Sequence, residues 1–259
     1  DLSAAGTYNL AIYVTNAGDL NKKNDTLLTL VQQIQNLPLD LSTDYVDNLE
    51  AAAAATYQSD TTGIRGAERY DFSNSTDFGR LRTSAGSGFA FSGNNAFILD
   101  ANRFVALGNV NYLYGTFNLR NYSAATHDIR LDFRIRQHGQ IPNPANRVWI
   151  RGSDKDAWIP AYNLDSLQAN NLFHKTRSIE VSGLLAANGQ SFTSSFGVRW
   201  GQWGIWPATD TASAAGYTID DIRLYQVEND LQLESILSPA INACGQSDAA
   251  QVQINVRNG

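Results

Sequence analysis

The sequence predicts an all-β fold, a central jelly-roll β-sandwich with shorter β pieces at either end. Three observations predict it. Short runs rich in aromatic and β-branched residues recur along the chain, and turns bearing Gly, Asn, Asp or Pro separate them at short intervals. Within the runs, apolar and polar residues alternate with the period of two that a half-buried strand requires.

The elements follow in order. Residues 6–14 (GTYNLAIYV) place Tyr8, Leu10, Ile12 and Val14 on one face, and the polar turn GDLNKKND leads into TLLTLVQQI. Further strand signals are AFILD (96–100), VNYLYGTFNL (110–119), IRLDFRIRQ (129–137), NRVWIRG (146–152), RSIEVSGL (177–184), SFTSSFGVRWGQ (191–202), GYTIDDIRLYQV (216–227) and QVQINVR (251–257). The run Ala51–Ala55 is the one place where a helix is expected, because alanine favours it; a close-packed connection fits the same small residues.

Composition narrows the function. A hydrophobic content of 43% with 17% charged residues describes a globular chain. The net charge of −6 provides no basic stripe to neutralise phosphates, which argues against a nucleic-acid partner. No stretch approaches the roughly 18 uninterrupted apolar residues of a spanning helix, so membrane insertion is not expected. Methionine is absent, and the first ten residues already read as a strand, so the expectation is a mature segment of a longer extracellular or cell-surface chain.

Catalytic patterns are missing. His127, His138 and His174 have neither metal-ligand nor triad spacing, and no GxSxG, HExxH or phosphate loop occurs. The chain is therefore expected to be non-enzymatic.

Two surface features carry candidate chemistry. In IRLDFRIRQ, Ile129, Leu131, Phe133 and Ile135 face one way while Arg130, Asp132, Arg134 and Arg136 face the other. Arg147, Trp149 and Arg151 likewise oppose Val148 and Ile150. Such arginine-bearing faces are either solvated sheet with cross-strand ion pairs or a sugar-binding surface, where aromatics stack and arginine donates to hydroxyls. Trp200, Trp203 and Trp206 in VRWGQWGIWPATD cannot all share one strand face. Either they seal the core, or Trp203 and Trp206 with Arg199 form a ligand-binding patch.

Specific segments resemble known families. YVDNLE (45–50), NRVWIRGSDKDAWIPAYNL and YTIDDIRLY (217–225) resemble secreted jelly-roll domains related to MAM and carbohydrate-binding modules, over residues 38–228. Residues 1–37 resemble the last strands, and 229–259 the first strands, of immunoglobulin-like adhesion repeats of the CARDB type. The whole arrangement resembles the long surface adhesins of gliding Bacteroidota, exported by the type IX system. The resemblance implies a segment of an adhesin or filament, serving adhesion or spacing; the alternative is a carbohydrate-binding accessory module of a secreted enzyme. Implied partners are neighbouring domains of the same chain or neighbouring subunits, and a polysaccharide.

The resemblance also implies a structural Ca2+ joining Glu50 to Asp220, with Asp221 or Asp47 as helpers. It implies O-glycosylation at Thr26, Thr61, Ser166 and Thr211, each of which follows an Asp. The lone Cys244 is either a buried thiol or, as the repeats imply, half of a disulfide to a residue outside this chain.

Overall fold

The computed structural model describes residues 6–15, 18, 21, 25–33, 35–84, 88–168, 170–209, 215–227, 231–238 and 252–258. Its strands are β1 (Gly6–Tyr13), β2 (Thr26–Gln33), β3 (Tyr45–Asp47), β4 (Thr56–Tyr57), β5 (Tyr70–Asn74), β6 (Gly79–Arg82), β7 (Phe97–Ala101), β8 (Asn109–Phe117), β9 (Asp128–Gln137), β10 (Arg147–Arg151), β11 (Ile159–Asn163), β12 (Phe173–Lys175), β13 (Ile179–Glu180), β14 (Phe196–Gly204), β15 (Tyr217–Val227), β16 (Leu231–Ser238) and β17 (Gln253–Asn258). Among the described residues there is one α-helix, α1 (Val181–Ala187).

Two sheets form the body. The five-stranded sheet runs β11-β10-β14-β8-β5, and the eight-stranded sheet runs β12-β9-β15-β7-β6-β4, with β13 against β9 and β3 against β15. Consecutive strands β7, β8 and β9 alternate between the sheets, as do β14 and β15. The inner orders are thus β7-β15-β9-β12 and β8-β14-β10-β11, the rolled-up double sheet of a jelly roll.

The alternation read from the sequence is what closes this sandwich. In β8, Leu113 and Phe117 are buried while Tyr112, Tyr114 and Thr116 stay half-exposed. Phe133 of β9 meets Trp200 of β14 edge-on with centroids 5.8 Å apart, and Tyr70 of β5 meets Phe97 of β7 at 4.9 Å. These pairs come from facing sheets, so the core is a layer of interdigitated rings and aliphatics.

Two local expectations fail for identifiable reasons. The Ala51–Ala55 run is not a helix: Ala53 N–H bonds to Arg65 O, and Ala55 N–H to Thr83 Oγ1, so its backbone is committed to other segments. The strand expected over 177–184 stops at Glu180 and turns into α1. There Val181, Leu184 and Leu185 sit at helical spacing, with Val181 and Leu185 buried in the core. The C-terminal turn closes with Gln190 N–H on Leu185 O.

The ends are hairpins. β1 pairs with β2 from Gly6↔Gln33 to Tyr13↔Thr26, and β16 pairs with β17 through two register shifts. Both leave apolar side chains in solvent, including Leu28 at 74% and Val252 at 65% exposure.

Candidate functional site

The outer face of the five-stranded sheet gathers aromatic rings and guanidinium groups that lie far apart in sequence. Strand alternation sends Tyr112 and Tyr114 outward from β8, Arg199 from β14, and Trp149 and Arg151 from β10. Antiparallel register then places Arg199 opposite both Tyr114 and Trp149. Trp158, just ahead of β11, completes the group.

The contacts are close. The Arg199 guanidinium carbon lies 4.2 Å from the Trp149 ring centre, 4.7 Å from Trp158 and 4.8 Å from Tyr112. Arg151 lies 4.4 Å from Trp158. Tyr112 meets Trp149, and Tyr114 meets Trp158, both with centroids 6.0 Å apart. Gly197 and Gly201 flank Arg199 on this face, and they make the rings fit. A Cβ at Gly197 would lie 3.1 Å from Trp158, and one at Gly201 2.7 Å from Trp149 and 2.3 Å from Ala145 O. The glycines are the floor on which two indoles lie.

The electrostatics of the face are unusual. Among the described residues, no carboxylate forms an ion pair with Arg147, Arg151 or Arg199. The Nε atoms of all three are buried without a hydrogen-bond partner. Burial lowers the pKa of Arg199, against the opposing influence of Tyr114 and Tyr112. The nearby Asp71 on β5 is held by Gly63 N–H, and burial pushes its carboxyl above the usual range. Asp154 offers Arg151 only its backbone carbonyl, while its carboxylate accepts from Ser195.

The sequence named part of this group. Arg199 is central to it. Trp203 is on the same face of β14, four residues along, where its ring fills the space over Gly108. Trp206 lies beyond the strand, 43% exposed, against Phe104 at 4.4 Å. Trp200 is wholly buried, so the three tryptophans divide between core, outer face and loop. Trp149 and Arg151 were read as one outward face open to a sugar, apart from Arg199; the residues that sequence reasoning left out are Tyr112, Tyr114 and Trp158. The signal for the two tyrosines was in VNYLYGTF, where aromatics occupy the positions of the polar face.

Glu50, Asp220 and Asp221 do converge, on the loop at 91–95. Asp220 accepts Phe91 N–H at 2.8 Å and Ser92 N–H at 3.1 Å, and Asp221 accepts the Ser92 hydroxyl at 2.7 Å. Glu50 accepts Asn94 N–H at 2.9 Å and Asn95 N–H at 2.8 Å. Asp47, the other helper, instead accepts from the Tyr45 and Tyr70 hydroxyls. Calcium needs six to eight oxygen ligands, whereas this loop turns N–H groups, the positive ends of its dipoles, toward the carboxylates. Among the described residues no group of three or more His, Cys, Asp or Glu side chains is placed to hold a metal ion. The arrangement does not fit a calcium centre. It is a carboxylate clamp on a loop, tight enough that a Cβ at Gly93 would lie 2.3 Å from the Glu50 carboxyl carbon.

Of the hydroxyls expected to carry glycans, Thr26 and Ser166 are exposed and Thr61 is half-buried. Ser166 Oγ donates to Asn163 O at 2.6 Å. Thr211 and Cys244 lie outside the described residues.

No family model and no curated protein matches the chain. Among solved structures it is similar to the K2 cleaved adhesin domain of Lys-gingipain, at 13% identity and a TM-score of 0.37, over 70% of this chain and 99% of that one. It is also similar to a Stig cyclase, Fisc from Fischerella sp. TAU, at 14% identity and a TM-score of 0.34, over 85% of this chain and 98% of that one. Among the described residues no helix is long and apolar enough to cross a membrane.

Proposed function

We propose that the chain is a non-enzymatic adhesion module of an extracellular or cell-surface protein, and that it binds polysaccharide on the outer face of its five-stranded sheet. One observation carries this reading: four half-buried rings, Tyr112, Tyr114 and Trp149 on the sheet and Trp158 just ahead of β11, lie together around Arg199. Aromatic side chains with an apolar body and a polar edge suit the mixed surface of a sugar. Sheet-borne rings are fixed before the ligand arrives, which lowers the ordering cost of binding. The end hairpins would be completed by neighbouring domains of the same long chain, or by neighbouring subunits, in immunoglobulin-like repeats. Their exposed apolar side chains, such as Leu28 and Val252, favour such covering.

The test is retention of the full chain on a panel of immobilised polysaccharides, with calcium and with a chelator. At least one polymer should retain it in both conditions. Trp158→Ala should weaken that retention by about thirtyfold, the scale of a binding hot spot, while leaving the fold intact by near-UV circular dichroism. Retention by no polymer, or full retention of the variant, would remove the reading.

A further inference from the structure

The polysaccharide reading leaves the ligand class open, and the charges on the same face narrow it. We propose that this face takes an acidic polysaccharide whose sugars carry a ring-borne carboxylate, a polyuronate, with Arg199 and Arg151 meeting the carboxylates and the rings meeting the sugar faces. The inference rests on the polysaccharide reading and adds the ligand's charge.

A guanidinium withdrawn from water costs free energy unless it is paired. On the eight-stranded sheet carboxylates meet that cost for several arginines: Arg80 and Arg82 reach Asp100 at 2.6 and 2.8 Å, and Arg223 reaches Asp132 and Asp44 at 2.5 and 2.8 Å, while Arg134 lies over the Phe91 ring at 4.3 Å. Arg151 and Arg199 are without an acid partner in a chain of net charge −6, and their Nε–H groups are unpartnered as well. Cation–π contact compensates only in part. An incoming anion would supply the missing partner, and the planar guanidinium fork matches a carboxylate in a two-bonded geometry.

Geometry favours a carboxylate fixed to the sugar ring. The guanidinium carbons lie over the rings, 4.2 Å from the centre of Trp149 and 4.4 Å from that of Trp158, so a ligand that touches these rings meets the charges as well. In a uronate the acid is bonded directly to a ring carbon. A sugar resting against the exposed parts of these rings therefore carries its carboxylate within reach of a guanidinium. Asp71, whose negative charge would oppose such a ligand, is engaged by the Gly63 N–H.

The test uses the full chain on polygalacturonate and on alginate, each with its carboxylates free and esterified, at low and moderate salt. The prediction is retention by at least one free acid and about tenfold weaker binding to its ester. Arg199→Gln should lose on the order of tenfold on the acid, the scale of a charge-assisted hydrogen bond, and a clearly smaller factor on the ester. Arg130→Gln removes the same charge from the opposite sheet and should bind as the parent chain does. Equal affinity for acid and ester, with both lost in Trp158→Ala, would overturn the acidic class and keep the glycan-binding face. Retention by other polysaccharides but by neither polyuronate would do the same. Equal weakening by Arg130→Gln and Arg199→Gln would reveal diffuse charge attraction and overturn the proposal. Retention by no polysaccharide would overturn this proposal and the reading beneath it together.

Discussion

On the outer face of the eight-stranded sheet, Asp100 holds Arg80 and Arg82, Asp128 holds Arg130, and Asp132 holds Arg223 and Lys175. On the outer face of the five-stranded sheet, Arg151 and Arg199 rest on Trp149, Trp158 and Tyr112 in place of carboxylates. The larger face is also partly roofed: Phe89 and Ala208 pack over Ile98, and Arg82 donates to Ala208 O at 3.2 Å. The same residue type therefore serves two ends. Arginine with an acid partner and a cover is structural cement. Arginine on rings, without an acid partner, is the charge that the proposed recognition would use.

The sharpest way to break this contrast is to remove the acid from the covered face. Asp100 is fully buried, and Asp100→Ala would leave two largely buried guanidiniums and the Ala208 N–H without their acceptor. A loss of about 3 kcal/mol in urea unfolding is expected, the scale of breaking a buried pair. Arg199→Gln, by contrast, should change stability by less than about 1 kcal/mol. Similar losses from the two variants would erase the distinction between the faces.

A smaller effect comes from pH. His138 lies fully buried beneath the covered face, stacked on Phe89 at 5.3 Å, with Nε2 2.8 Å from the Thr218 hydroxyl and Nδ1 3.2 Å from Thr209 O. Burial, aided by the Arg136 charge, pushes its pKa down to about 4. The folded state thus keeps His138 neutral, while the unfolded chain takes up a proton below about pH 6.5. Its contribution is complete above that value and is lost as pH falls from about 6.5 through 4, on the order of 3 kcal/mol in all. Asp220 acts in the opposite sense. Burial pushes its carboxyl up to about 6 against the pull of its N–H donors, so its contribution is complete below about pH 4 and is lost as pH rises through 6. Comparing unfolding curves of the parent chain and His138→Gln cancels the Asp220 part. An unchanged difference between the two across pH 4–7 would contradict the assignment.

Much of the fold was legible because strand period and burial are local properties. Ile129, Leu131, Phe133 and Ile135 are all buried in β9, as their alternation requires, and β8, β10, β14 and β15 lie where their apolar runs place them. Short strands such as β5 and β6 escaped notice, since runs like YDFSN and GRLR carry too few apolar residues to stand out. The site was only half legible. Sequence pattern places Arg151 and Arg130 alike on outer faces, but it does not say whether an indole or a carboxylate stands beside them. That depends on which strands become neighbours, and register across β8, β14 and β10 is a long-range outcome of the sandwich. Glu50 and Asp220 show the same limit from the other side. They do meet at one loop, yet the loop's backbone brings N–H donors to them, and side-chain spacing does not reveal backbone orientation.

The most direct measurement is the indole N–H region of a nitrogen-15 correlation spectrum, titrated with a polysaccharide fragment that the full chain retains. The five tryptophans give one signal each: Trp200 in the core, Trp206 against Phe104, Trp203 over Gly108, and Trp149 and Trp158 on the arginine-bearing face. The account predicts that the Trp149 and Trp158 signals move together with ligand while those of Trp200 and Trp206 stay still. Movement of Trp206 with Trp149 and Trp158 unchanged would place recognition elsewhere and contradict it.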